Sequence, residues 1–158
     1  LIITNAAGGI NSVFRISDLM LITSHFNFIK KKFIDENNSS FYNKNIQNKI
    51  KNYSLKEKIV LRSGSYCCNH GPMYETKSEI KFLKKVGVDA VGMSTVPEII
   101  LANNFGIRTI AISCITNLLK ENESGKTDHE EVIVAGKNAY KKFSGLLKLI
   151  ISKSSELT

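Results

Sequence analysis

Apolar positions along this chain fall in short blocks, and the period of the blocks changes from one to the next. Leu1-Ile2-Ile3-Thr4 is a β-rich run stopped by Asn5-Ala6-Ala7-Gly8-Gly9. Leu19-Met20-Leu21-Ile22-Thr23 reads as a second strand, set up by a Ser17-Asp18 turn. Residues 29–57 are irregular, with a helix toward Tyr53. Ile59 to Leu61 and Ser65 to Cys68 read as one interrupted strand. Gly71-Pro72 breaks the chain, and Glu75 to Val86 then carries Ile80, Phe82, Leu83 and Val86 at helical spacing. A strand over 88–92, a helix over 96–104 and a strand from Arg108 to Cys114 follow. That last run is almost wholly apolar, as expected of a strand covered on both faces. Beyond a polar loop from Lys120 to Lys126, Thr127 and Glu130 have capping-box spacing. Val132, Ala135, Ala139, Phe143, Leu146, Leu147 and Ile150 then make a helical stripe that predicts a helix to about Ser152. Strands alternating with helices predict one layered α/β domain over 1–158, without internal repeat or dividing linker.

The junction Val91-Gly92-Met93-Ser94-Thr95-Val96-Pro97-Glu98 is the most informative stretch. Thr95 and Glu98 have T-x-x-E spacing, which predicts a capping box, and Pro97 falls in the first turn, where its missing N–H costs nothing. Met93 and Ser94 therefore lie where a strand ends and a helix begins. In an open α/β sheet that edge is where ligands bind, and a helix N-terminus favours anions.

Composition narrows the class. Of the 158 residues, 42% are hydrophobic and 23% charged, an ordinary soluble balance. No segment approaches the roughly 18 apolar residues of a membrane span. The net charge is +8, and residues 30–58 hold +5 of it, with eight Lys against Asp35, Glu36 and Glu57. That segment is rich in Asn and Ser and has little periodicity, so it reads as a solvated loop leading into a helix, not as a nucleic-acid surface. Three Cys (Cys67, Cys68, Cys114) without C-x-x-C spacing argue against a disulfide framework and a zinc site, and fit a reducing cytoplasm. The chain starts without Met, inside a run that reads as mid-strand, and a fragment lacking its N-terminal portion is expected.

Four polar clusters fall at element ends. Asn5 to Gly9 is a small-residue turn whose glycines allow an anion nest. Tyr66 to Thr76 ends in Tyr74 and Glu75, with Glu75 opening a helix. Met93-Ser94 is the third, and Ser113 to Asn117 the fourth, with His129 at the start of the last helix. A carboxylate, an amide, an aromatic ring, a Met and a helix-start Ser suit a planar heterocycle joined to a sugar and an anion.

Together the words Thr4-Asn5-Ala6-Ala7-Gly8-Gly9, Gly71-Pro72-Met73-Tyr74-Glu75-Thr76, Val91 to Glu98, Ile115-Thr116-Asn117 and His129-Glu130-Glu131-Val132 resemble the trimeric class of purine nucleoside phosphorylases, in order and near spacing. The resemblance covers nearly the whole chain. It implies a mixed, twisted central sheet flanked by helices, present here as part of a longer domain. It also implies phosphorolysis of 6-oxopurine (2′-deoxy)ribonucleosides by a cytoplasmic homotrimer, with inorganic phosphate as co-substrate and no metal or organic cofactor. By motif, Glu75 would accept from N1–H of the base and Asn117 would donate to N7. Tyr74 would pack on the base. Tyr66 and Met93 would contact the ribose, and His129 its 5′-hydroxyl. Ala6 (through its N–H) and Ser94 would meet phosphate. The family's upstream phosphate ligands, a Ser-containing Gly-rich loop and an Arg/His pair, have no counterpart in this sequence. Its loop after His25 is shorter and richer in Lys and Asn, leaving Phe41 or Tyr42 as candidates for the aromatic that serves a neighbouring subunit. Methylthioadenosine phosphorylase and a non-catalytic remnant of a decayed gene are the alternative readings.

Overall fold

A computed structural model describes residues 1–29, 41–120 and 129–157. Among the described residues, five strands and five helices follow in the order β1 (Ile2–Gly9), β2 (Leu19–Asn27), α1 (Lys44–Lys56), β3 (Leu61–Cys68), α2 (Lys77–Lys85), β4 (Ala90–Gly92), α3 (Val96–Asn104), β5 (Ile110–Leu118), α4 (His129–Ser152) and α5 (Ser154–Leu157). The helix over 96–104 and the end of α4 match the sequence expectation. The predicted cap at Thr127 lies outside the described residues.

The strands close on themselves in the order β1-β4-β3-β2-β5, with β5 returning to β1. The sheet is mixed. β1 runs parallel to β5, as β2 does to β3 and β3 to β4. β1–β4 and β2–β5 are antiparallel. The expected twisted sheet is therefore a closed barrel with helices around it.

Period-2 alternation sorts the strand residues between cores. Leu19, Leu21, Ile112 and Cys114 pack with Ile46 and Ile50 of α1 and Ala139, Leu146 and Ile150 of α4. Their neighbours Met20, Ile22, Ala111 and Ile115 pack with Tyr66 and with Val96, Ile99 and Ile100 of α3. A third cluster joins Cys67 and Val91 to Leu83 of α2. Both faces of the central strands are covered, which is why their sequence reads as nearly continuous apolar runs. Phe82 falls outside the buried stripe of α2: it is 53% exposed and meets the Phe28 ring at 6.3 Å.

Three strands run further than the sequence suggests: β1, β5 and also β2, which continues past Thr23 to Asn27. Asn5-Ala6-Ala7-Gly8-Gly9 is the second half of β1, not a turn, so its glycines form no anion nest. They are small because neighbours fill the space a Cβ would take: Leu119 Cδ1 at 2.8 Å from position 8 and Ile115 Cγ2 at 2.8 Å from position 9. The strand expected to stop at Cys114 continues to Leu118, which puts Asn117 inside β5. β3 is continuous through Gly64, where a Cβ would stand 2.7 Å from Met20 Sδ and 2.8 Å from the Asp89 carboxylate. That carboxylate already accepts from Asn11 Nδ2 at 2.6 Å and Ser65 N at 2.8 Å, so moving it aside strains both bonds. Gly64→Ala should therefore cost about 1–3 kcal/mol of stability through overpacking, measured by denaturant unfolding.

Candidate functional site

Strand register lines up the site residues from one strand to the next. Asn117 of β5 lies opposite Gly8 of β1, Gly8 opposite Val91 of β4, and Val91 opposite Cys67 of β3. One step along, Gly92 lies opposite Cys68, and the Gly92 carbonyl accepts from Asn69 N at 2.8 Å. The loop that carries Tyr74 and Glu75 starts there. Met93 lies over that loop: a Cβ on Gly71 would meet its sulfur at 2.6 Å.

Asn117 is half-buried. Thr116 Oγ1 shares its one proton between Asn117 Oδ1 at 3.3 Å and Ala7 O at 3.4 Å, and Asn117 Nδ2 lies beside Gly8. Glu75 stands outside α2, not in its first turn as the sequence suggested. Thr76 is the N-cap, and Glu79 completes the capping box, accepting from Thr76 N at 2.7 Å. Glu75 is thus released from helix duty. Burial raises its carboxyl above the usual carboxylate range, its own backbone N–H and the Asn69 side chain partly oppose that, and Glu79 adds repulsion. Tyr74 is 45% exposed and Met93 38% exposed. Ser94 and Ala6 are exposed as well.

Tyr66 is wholly buried. Its hydroxyl lies so close to Gly92 that no Cβ fits at position 92, with Ala6 O at 3.4 Å from the same point. Burial raises its pKa well above the usual phenol value, and Ser94 lowers it in part. Its hydroxyl makes no well-formed hydrogen bond among the described residues. Tyr66 therefore lines the site from below and offers no open face.

Thr95 departs furthest from expectation. It precedes α3 but makes no side-chain cap, so the predicted box with Glu98 is not formed. Its backbone sits at φ 83°, ψ −48°, and Val96 N donates to Ser94 O at 3.0 Å. This is a γ-turn with positive φ at its centre, a rare and strained conformation, here on a β-branched residue. Such strain costs on the order of 1–3 kcal/mol and persists only where surroundings hold it. Asn5 Nδ2 donates to Thr95 Oγ1 at 2.7 Å, and Ser94 Oγ lies 3.3 Å from the same oxygen. The hydroxyl is engaged sideways and is not free to cap the helix.

Phe41 and Tyr42 both turn inward. Tyr42 is buried, its hydroxyl is 2.8 Å from His25 Nδ1, and the Phe41 ring is 5.1 Å from the His25 ring. Sequence reading passed over His25, Asn69 and the Asn5–Thr95 pair, because each acts through a partner distant along the chain. The His129 side chain lies outside the described residues. Among the described residues no cluster of His, Cys, Asp and Glu is arranged to hold a metal, and no helix is long and apolar enough to cross a membrane. Two open clefts of about 590 and 560 Å³, beside Leu157 and beside Asp89, contain none of these site residues.

The chain belongs to the phosphorylase superfamily, whose sequence profile matches residues 1–152. Within it, the chain is similar to purine nucleoside phosphorylases. It is 38% identical over 164 residues to purine nucleoside phosphorylase 1 of Bacillus subtilis, covering 97% of this chain and 60% of that protein. It is 36% identical over 172 residues to the Bos taurus purine nucleoside phosphorylase, covering 96% and 59%. The crystal structure of a Schistosoma purine nucleoside phosphorylase in complex with hypoxanthine superposes with a TM-score of 0.89 at 27% identity, over 97% of this chain and 61% of that one. The chain thus spans about 60% of the length of the relatives it matches.

The raised Glu75 carboxyl makes a stability prediction. The folded state holds that proton more tightly than the unfolded chain, so stability falls as pH rises from the unfolded carboxyl value of about 4.3 through the folded value. Glu75→Gln removes the ionisation. Thermal melts should show the variant melting above the wild type at neutral pH, with the gap closing below about pH 4. A gap of the same size at every pH would assign it to packing.

Proposed function

We propose that the protein containing this chain cleaves purine (2′-deoxy)ribonucleosides, inosine and guanosine foremost, with phosphate, giving free base and (deoxy)ribose 1-phosphate for purine salvage. The observation that carries this reading is a half-buried Glu75 carboxylate left out of the α2 cap, on the loop to which the strand row through Asn117 leads. An acceptor and a donor are what the N1–H edge and the N7 edge of a 6-oxopurine require. Relatives support the substrate class: the Schistosoma enzyme has been crystallised with guanosine and with inosine, and also with adenosine.

In this reading the C1′–N9 bond breaks and its electron pair stays on the purine, while a phosphate oxygen bonds to C1′. Charge grows on the base as the sugar becomes cationic. Asn117 Nδ2 donates to N7 and stabilises that charge where water is excluded. Glu75, ionised, accepts from N1–H and fixes the base. Tyr74 packs on the ring, Met93 borders the ribose with Tyr66 packed beneath, and His129 reaches the 5′-hydroxyl. The Ala6 N–H and Ser94 supply part of the phosphate site. Phosphate is the co-substrate, and no metal or organic cofactor takes part. The protein acts in the cytoplasm as a homotrimer. The exposed Phe28–Phe82 pair supports a contact surface next to the base loop, since Phe28 N is bonded to Cys68 O at the end of β3.

Phosphorolysis assays on the full product of the gene decide the specificity. Inosine and guanosine should be cleaved in preference to adenosine and methylthioadenosine; preference for either adenine nucleoside would overturn the reading, and no turnover would favour a non-catalytic remnant. Asn117→Ala should lower kcat/KM by about 2–4 kcal/mol of transition-state stabilisation. An unchanged rate would remove Asn117 from the N7 role.

A further inference from the structure

The strained turn at Thr95 is not explained by helix capping, by chain reversal or by packing alone. Thr95 is 1% exposed and β-branched, so positive φ is unfavourable, and the turn gains no cap hydrogen bond from its side chain. Its hydroxyl is bonded from a strand ninety residues away. Asn5 Nδ2 reaches Thr95 Oγ1 at 2.7 Å. The other end of the same amide, Oδ1, is buried without a partner among the described residues. An amide that leaves one end unmatched in order to bond Thr95 is placed for that bond, because a buried unpaired acceptor is itself unfavourable. The pair also links the two segments that frame the phosphate side of the proposed site. Asn5 adjoins Ala6 on β1, and Thr95 adjoins Ser94 on the turn, with Ser94 Oγ 3.3 Å from Thr95 Oγ1.

We propose that Asn5 is a positioning residue: its amide clamps the Thr95 γ-turn and so sets Ser94 opposite the Ala6 N–H to receive phosphate. The proposal rests on the phosphorolysis reading for its ligand, but the clamp itself is a structural claim. Without the clamp, Thr95 relaxes toward negative φ and Ser94 turns away from Ala6. The base side, held by Glu75 and Asn117, contributes through other strands and loops and is unaffected.

Two readouts on the full gene product test this. The first is the crystal structure of Asn5→Ala, in which Thr95 should leave positive φ and Ser94 should shift. The second is steady-state kinetics with phosphate and inosine varied separately. Asn5→Ala and Thr95→Val should each raise the KM for phosphate on the order of ten- to a hundredfold, with the KM for inosine little changed. The double variant should be no worse than either single one, as expected of two partners in one bond. Thr95→Ser, which keeps the hydroxyl, should lose less than Thr95→Val. If Asn5→Ala does not fold, Thr95→Val carries both readouts. Retention of positive φ at Thr95 with Ser94 in place, equal shifts in both KM values, or no shift in either overturns the clamp. A wild-type protein without phosphorolysis overturns the functional reading instead, and the crystallographic readout still judges the clamp.

Discussion

The barrel closes only because β1 accepts a partner on each side, parallel β5 along its whole length and antiparallel β4 at Gly8 and Gly9. Close approach of neighbouring side chains leaves no room for a Cβ at the last two positions of β1. Leu119 and Ile115 occupy the Cβ positions of Gly8 and Gly9. The small residues that permit closure also leave bare backbone at the centre of the site. Asn117 is brought beside β1 by the same register, and Val91 and Cys67 carry the row on to β3.

Around that closure the site divides in two. One part is assembled from loop and strand ends: Glu75 beyond β3 and Asn117 within β5, an acceptor and a donor set by different elements. The other is the Gly92-to-Thr95 turn, tied to β1 through Asn5. Helix α2 matters to the first part in an indirect way. Because Thr76 and Glu79 complete its cap, the neighbouring carboxylate of Glu75 carries no structural duty and stays half-buried at a raised pKa. That is a costly place for a carboxylate, and such costs concentrate where a group meets a ligand.

Much of this was legible in the sequence, and the failures have physical reasons. Helix α3 was readable from Pro97 and the apolar run behind it, and α4 from its stripe of Ala, Phe, Leu and Ile. Gly8 and Gly9 were misread as a turn because glycine usually breaks strands; only the register shows which side chains exclude a Cβ. Thr95 was misread as a cap because T-x-x-E spacing is local, whereas the bond that captures its hydroxyl comes from Asn5. The role of Tyr42 was obscured in the same way, since its partner His25 lies 17 residues earlier along the chain. The family resemblance named the site residues, but their geometry depends on pairings between strands that sequence spacing does not encode.

The central claim is that Glu75 and Asn117 grip two edges of one purine. A crystal structure of the full gene product with hypoxanthine bound tests it most directly. The account predicts the Glu75 carboxylate within hydrogen-bond distance of N1 and Asn117 Nδ2 within hydrogen-bond distance of N7. A base bound elsewhere, or turned so that neither contact forms, would contradict it.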